Sequence, residues 1–254
     1  MRPDNRKPKE PKNLIFGMHA VLEALEGGKE LNKIIIQKGL SKSDESERIV
    51  KLAKTQQVPI QFVPRENSLF PVGKNHQGIL AFIAPVSYHQ LDQLLPRIFE
   101  SGKDPFVLVL DRITDVRNFG AIARTAFCAG VHAIVIPDAG SAQITEDAIK
   151  TSAGALLTIP VCRERNMKTA MELLNQSGLT TVACTEKANK DLPFMDLSGP
   201  VAIVMGSEED GISNELLRKS TLMGKIPMHA GVSSLNVSVA CGIALYEVVR
   251  QRLV

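Results

Sequence analysis

From residue 106 onward the sequence alternates short apolar runs with helix-patterned segments, and this alternation is the strongest constraint on its fold. The runs at 106–110, 133–136, 157–161, 180–184, 201–205 and 224–226 read as strands. Helices are predicted from Asn118, near 146–152, over 167–176 and 213–219, and from about Ser234. Strands that are apolar on both faces and joined by helices imply a mainly parallel sheet covered on both sides. In such α/β sheets ligands sit at the carboxyl ends of the strands, so the loops leaving those ends are where chemistry is expected.

Ahead of this region the periodicity predicts a smaller α/β unit within 17–84. It has a helix over 19–26, a strand over 33–37, a helix over 43–56, and strands near 60–63 and 79–83. Residues 85–105 hold three prolines and an amphipathic piece at 91–99, which suits a linker with one helix. The expected division is a disordered basic tail at 1–12, a small domain at 13–84, a linker at 85–104 and a large domain at 105–254.

The first twelve residues carry five positive and two negative charges, which is the whole of the chain's net +3. The remainder is formally neutral, so any nucleic-acid affinity must come from the placement of Lys and Arg, not from bulk charge. The start lacks the apolar segment of a secretory signal. No later run approaches the ~20 apolar residues that span a bilayer, which points to the cytoplasm. Cys128, Cys162, Cys184 and Cys241 stand far apart and the five histidines are scattered, so neither disulfides nor a metal site is expected. Buried free thiols are.

Three segments carry candidate chemistry. The first leaves the strand at 106–110 as Asp111-Arg-Ile-Thr-Asp-Val-Arg-Asn118 and enters a helix. Asn118 is a candidate N-cap. Arg124 lies six residues on, about 9 Å up the axis, and the lean of helical side chains toward the N-terminus would bring both polar heads to the sheet's edge. The second runs from the strand at 201–205 into Gly206-Ser-Glu-Glu-Asp-Gly211. Glycine there lets backbone approach a ligand, and Glu208 offers a carboxylate. The third is Ile226-Pro-Met-His-Ala-Gly-Val-Ser-Ser234-Leu-Asn236, opening the last helix. Ser233 or Ser234 suits the cap of that helix, whose Val239, Ile243, Tyr246 and Val249 form an apolar stripe. Asn236 and Ser238 are polar in an apolar stretch and need partners if buried.

In this order the segments read Asn-x-Gly-x-x-x-Arg-x-Ala from Asn118, Gly-x-Glu-x-x-Gly from Gly206 and Ser-Leu-Asn-Val-Ser-x-Ala from Ser234. The chain thereby resembles the SpoU (TrmH-like) family of SPOUT RNA methyltransferases. The likeness extends to Phe16-Gly-Met-His-Ala-Val21, Asn75-His-Gln-Gly-Ile79 and Gly130-Val-His-Ala-Ile134, covering nearly everything after the tail.

The resemblance implies an α/β fold with a C-terminal trefoil knot, a homodimer, and an N-terminal α/β domain that binds RNA. It implies S-adenosylmethionine-dependent methylation of a ribose 2′-hydroxyl, with a guanosine in the peptidyl-transferase loop of 23S ribosomal RNA as the substrate of the most similar members. By the same resemblance Gly206, Ile226, Met228 and Leu235 are the cofactor contacts, and Asn118, Arg124, Glu208, Ser234 and Asn236 the polar catalytic set. Val116-Arg117 stands where relatives have Pro-His, a difference that bears on substrate contact. An arginine essentially never deprotonates, so Arg124 is expected to position a phosphate and stabilise oxyanion charge. A dinucleotide-binding enzyme is disfavoured, because the loop after 106–110 has no Gly-x-Gly-x-x-Gly.

Overall fold

The computed structural model describes residues 13–40, 43–67, 69–229 and 234–253. The basic segment 1–12 lies outside them. The chain divides into two units, with the boundary in sequence between Pro85 and Val86.

The first unit comprises β1 (Leu14–Phe16), α1 (Met18–Glu26), β2 (Leu31–Gln37), α2 (Asp44–Thr55), β3 (Ile60–Val63) and β4 (Ile79–Ile83). Its sheet runs β1-β4-β2-β3, with β4 antiparallel to both neighbours and β2 parallel to β3. The β-branched run Ile34-Ile35-Ile36 suits a pleated interior strand. Ile34 and Ile36 pack under the helices with Val21, Leu25, Ile49 and Ala53, while Ile35 faces the opposite side with Leu80 and Phe70. A capping box starts α2: Ser43 Oγ accepts from the Ser46 amide and Ser46 Oγ from the Ser43 amide. Asp44, Glu45 and Glu47 then complement the positive end of the helix dipole. β1 is absent from the sequence reading because three half-buried residues carry no period.

The second unit comprises β5 (Tyr88–His89), α3 (Leu91–Glu100), β6 (Phe106–Leu110), α4 (Val116–Cys128), β7 (Ala133–Pro137), α5 (Glu146–Thr151), β8 (Val161–Glu164), α6 (Met167–Gln176), β9 (Thr180–Cys184), β10 (Lys190–Asp191), β11 (Val201–Met205), α7 (Asn214–Lys219), β12 (Leu222–Lys225) and α8 (Val237–Arg252). The sheet order is β10-β12-β9-β11-β6-β7-β8-β5, and every pairing described is parallel. β6 and β11 are buried at every residue. Leu108, Leu110, Ile203 and Met205 meet α4, α5 and α8 on one face, and Val107, Val109, Ala202 and Val204 meet α3, α6 and α7 on the other.

The segment read as a linker is built into this unit. Leu91, Leu95 and Ile98 of α3 are buried in the core, and β5 pairs with β8. The strand expected at 157–161 begins only at Val161, since Gly154, at φ +85°, starts a 3₁₀ turn over Ala155–Leu157. The expectation of buried thiols holds for Cys162 and Cys241, but Cys184 is half-buried and Cys128 is exposed at the end of α4.

The strand order sets the position of the site. β12, β9, β11 and β6 are consecutive neighbours, so the segments leaving their carboxyl ends, beginning at 226, 185, 206 and 111, share one edge of the sheet. After β12 the chain returns to the β11 side, where α8 packs on α4 and Gly242 faces Thr125. The knot implied by the resemblance involves the connection from β12 to α8, and residues 230–233 of that connection lie outside the described residues. Among the described residues no helix is long and apolar enough to cross a membrane.

Candidate active site

The first helix of the site is capped differently from the expectation. Asp115, not Asn118, is the N-cap of α4, its carboxylate accepting from the Asn118 amide at 2.7 Å. Asn118 therefore sits in the first turn with its side chain available, and its Nδ2 donates to Glu208 Oε1 at 2.8 Å. At α8 the cap expected of Ser233 or Ser234 falls to Asn236; Ser233 is outside the described residues. Asn236 Oδ1 accepts from the Ser238 amide at 2.9 Å and from Ser238 Oγ at 2.6 Å. Its Nδ2 is thereby aimed at the site, donating to Glu208 Oε1 at 2.9 Å and Asn118 Oδ1 at 3.2 Å. One carboxylate oxygen thus gathers two amides from loops far apart in sequence. This also explains the polar residues in an apolar stretch: Asn236 uses its oxygen for the helix and its nitrogen for the site.

Glu208 sits on a tight turn. The Ser207 amide donates to the Gly211 carbonyl at 3.1 Å and the Gly211 amide to the Ser207 carbonyl at 3.0 Å, while the Asp210 amide donates to Ser207 Oγ. A Cβ at Gly206 would lie 2.1 Å from the Gly211 carbonyl carbon and 2.2 Å from the Ile212 nitrogen. The close approach that requires glycine there is that of the turn's own backbone, where the sequence reading had a ligand.

Two cavities flank the turn. One of about 550 Å³ is lined by Cys184, Thr185, Gly206, Ile226, Met228, Ser234, Leu235, Asn236 and Ala240, among others, so all four residues expected at a cofactor line it together with Ser234. A smaller one of about 230 Å³ is lined by Arg112, Thr114, Asp115 and Asn118. Ser207, Glu208, Glu209, Asp210 and Val237 belong to both walls. Asn118 and Asn236, bonded to the same oxygen, thus open onto different cavities.

Arg124 is not brought into this arrangement within the chain. It is exposed on α4 and lines neither cavity. Six residues at 3.6 per turn place it about 120° from Asn118, and the lean of the side chain does not overcome that rotation. It shares its face with Arg117, seven residues earlier and also exposed.

Sequence reasoning missed Arg112, Asp111 and Cys184. Acids and a base directly after a buried strand were the available signal for the first two. Burial pushes the Cys184 thiol up to about 11, with the nearby Glu186 carboxylate adding to the shift, so it lines the larger cavity as a neutral group. His132 is structural, its Nδ1 accepting from the Phe106 amide at 3.0 Å; burial lowers its pKa, helped by the positive charges of Lys103 and Arg252. His76 accepts from the Gly78 amide and packs against Phe70. Among the described residues no group of three His, Cys, Asp or Glu is placed to hold a metal ion.

A parallel α/β sheet with a polar cluster on loops at one carboxyl edge, a cavity on each side of it and a separate small α/β unit defines a class of two-part α/β enzymes acting at a strand-end cleft. Comparison with known proteins identifies which. Residues 105–246 match the SpoU rRNA methylase family, and residues 14–89 match the RNA 2′-O ribose methyltransferase substrate-binding family. The "Putative TrmH family tRNA/rRNA methyltransferase YacO" of Bacillus subtilis is 37% identical over 238 residues, covering 94% of this chain and 95% of its own. Among solved structures, the SpoU methyltransferase AviRb of Streptomyces viridochromogenes aligns with a TM-score of 0.60 at 22% identity, over 94% of this chain and 89% of its own. An AdoMet-bound rRNA methyltransferase of Sinorhizobium meliloti aligns with a TM-score of 0.59 at 24% identity, over 93% and 86%. At these identities the two structures speak for the fold. The chain belongs to the SpoU rRNA methylase family and is a TrmH/SpoU-type methyltransferase acting on RNA.

Proposed function

We propose that this enzyme methylates the ribose 2′-hydroxyl of a guanosine in the peptidyl-transferase loop of 23S ribosomal RNA, in the cytoplasm, as RlmB-type members of the family do. The observation that carries the reading is the Glu208 carboxylate, held by Asn118 and Asn236 in the wall between two cavities. Direct group transfer requires donor and acceptor in contact and aligned, and because Ser207 to Asp210 and Val237 line both cavities, reactants held in the two would meet beside Glu208.

The methyl donor is S-adenosylmethionine. The larger cavity fits it in size and chemistry: drug-sized ligands occupy clefts of roughly 300–1,000 Å³. Ile226, Leu235, Met228 and Ala240 supply apolar surface suited to an aromatic base, and Thr185, Glu186 and Ser234 supply polar groups. When bound, the cofactor supplies an electrophilic methyl group. Ser234 and Glu208 orient the substrate hydroxyl, and Asn118 and Asn236 fix the Glu208 carboxylate so that no reorganisation is needed as charge develops.

The same reading includes a homodimer and the C-terminal knot. Of the expected stripe of Val239, Ile243, Tyr246 and Val249, the first three face outward, 51%, 42% and 66% exposed, while Val249 packs against the core that Cys241, Ala244, Leu245 and Val248 fill. A solvent-facing stripe on the last helix suits a second copy of the chain. Gly242, beside the stripe, packs on Thr125, the neighbour of Arg124, so the arginine adjoins the same surface. In this reading Arg124 acts across the subunit interface as a forked donor to phosphate or to developing oxyanion charge.

The test is transfer of labelled methyl to 23S rRNA lacking its ribose methylations, in parallel with transfer RNA, with the position mapped by resistance to alkali. A single resistant guanosine in the peptidyl-transferase loop is expected. Label confined to transfer RNA would overturn the substrate, and no label in either RNA would overturn the activity.

A further inference from the structure

Three acceptors on two loops converge on one side chain next to Glu208. Arg112 Nε donates to Asp111 Oδ1 at 3.2 Å, Nη1 to Asp210 Oδ2 at 3.1 Å and Nη2 to the Gly211 carbonyl at 3.3 Å. Asp111 is 4% exposed, and its other oxygen accepts from the Ser213 amide at 2.6 Å. The loop leaving β6 is thereby stitched to the far half of the turn that carries Glu208, and again just beyond it.

The backbone at Arg112 lies in the left-handed region, at φ +59°. An arginine enters that region at a cost, and residues kept there despite it cluster at functional sites. The local chain does not require it: Ile113 is simply buried, and α4 begins only after the Asp115 cap. What the conformation achieves is to aim two donors of a planar fork at the turn opposite while the third holds Asp111, which a lysine ammonium cannot reproduce.

We infer that Arg112 is a positioning residue for methyl transfer: its guanidinium locks the turn from Ser207 to Gly211 so that Glu208 meets Asn118 and Asn236 together. The inference rests on the reading of Glu208 as the centre of the active site. It goes beyond the three sequence motifs, none of which contains this residue. Arg112 acts through Glu208, and also lines the smaller cavity.

The decisive variant is Arg112→Gly, because glycine adopts φ +59° without strain, so the loss of the guanidinium is not confounded with a change of backbone conformation. Methyl transfer to RNA is measured with melting temperature and with added guanidinium ion at millimolar, non-denaturing levels. The expected result is folded protein, a kcat reduced about 10- to 100-fold, as for a roughly 1 Å misplacement, a KM for RNA within about twofold, and partial recovery of kcat with guanidinium. Arg112→Lys, which keeps charge and strain but not the fork, stays low. An unchanged kcat in Arg112→Gly, or a loss that guanidinium does not restore or that tracks unfolding, overturns the clamp. Glu208→Ala separates the two readings: if it abolishes activity while Arg112→Gly does not, only the clamp fails. If it leaves activity intact, the site assignment itself fails.

Discussion

Gly206→Ala is the substitution whose consequence follows most directly from geometry. The added methyl carbon would stand 2.1, 2.2 and 2.4 Å from the carbon of Gly211, the nitrogen of Ile212 and the oxygen of Gly211. All three are backbone atoms, so no side chain can swing aside. Overpacking of this kind costs about 1–3 kcal/mol or more, and three contacts this short place it at about 3 kcal/mol. For a unit of this size one kcal/mol moves the melting temperature by about 2–4 °C, so a fall of about 6–12 °C is expected. Relief by displacing the turn would carry Glu208 away from both asparagines, so methyl transfer should fall with stability. The control is Gly199→Ala, where nothing lies within 4 Å of the new carbon. There the loss of unfolded-state freedom should stabilise by about 0.4–1 kcal/mol. Calorimetry of the two variants is the assay. Equal melting temperatures, or a Gly206→Ala protein as active as the parent, would refute the claim that the turn's own backbone demands this glycine.

Other predictions concern the caps, the interface and pH. Asn236→Ala should lose both the α8 cap, worth about 1 kcal/mol, and methyl transfer; Asn236→Ser should recover the stability but not the activity. This would be contradicted by activity returning with the cap. If Arg124 acts across a dimer, inactive Glu208→Ala and Arg124→Ala proteins, mixed and allowed to exchange, should regain about a quarter of parental turnover, since half the dimers are mixed and each has one intact site. No recovery on exchange would place Arg124 in its own subunit or outside catalysis. His132 is held below its ordinary 6.5 by burial, so the unfolded chain takes up the proton first. Its contribution to stability is complete above about pH 6.5 and declines as pH falls through that value toward the folded pKa. The loss of melting temperature between about pH 7 and pH 5 should therefore shrink in His132→Asn, and an unchanged slope would show that other groups set it.

The architecture of the large unit was legible because β6 and β11 are apolar at every position and the helices between strands keep their period. β1, β5 and β10 were not, being two or three residues long and defined by their partners. The segment around α3 looked like a linker because it holds Pro85, Pro96 and Pro105, the second of them inside the helix, yet Leu91, Leu95 and Ile98 already carried the spacing of a buried face. At the site, Asn118, Glu208 and Asn236 were legible as a set, but their roles at the helix ends were not. Which residue caps a helix depends on where the turn begins, and Asp115, as good an N-cap as asparagine, starts α4 three residues before Asn118 through a local bond. Arg124 shows the opposite limit: its motif was plain, but direction around a helix decides what a side chain reaches. Arg112 offered only its place directly after a buried strand, because its significance lies in a backbone angle and in two partners about a hundred residues away.

Methylation of a ribose hydroxyl on RNA at this site is read out by the identity of the methylated nucleoside. RNA modified by the purified enzyme would be digested to nucleosides and analysed by mass spectrometry, with Glu208→Ala in parallel. The expected product is 2′-O-methylguanosine, with the added mass on the ribose fragment, absent with Glu208→Ala. A methyl group on the base fragment, or the same product from Glu208→Ala, would contradict it.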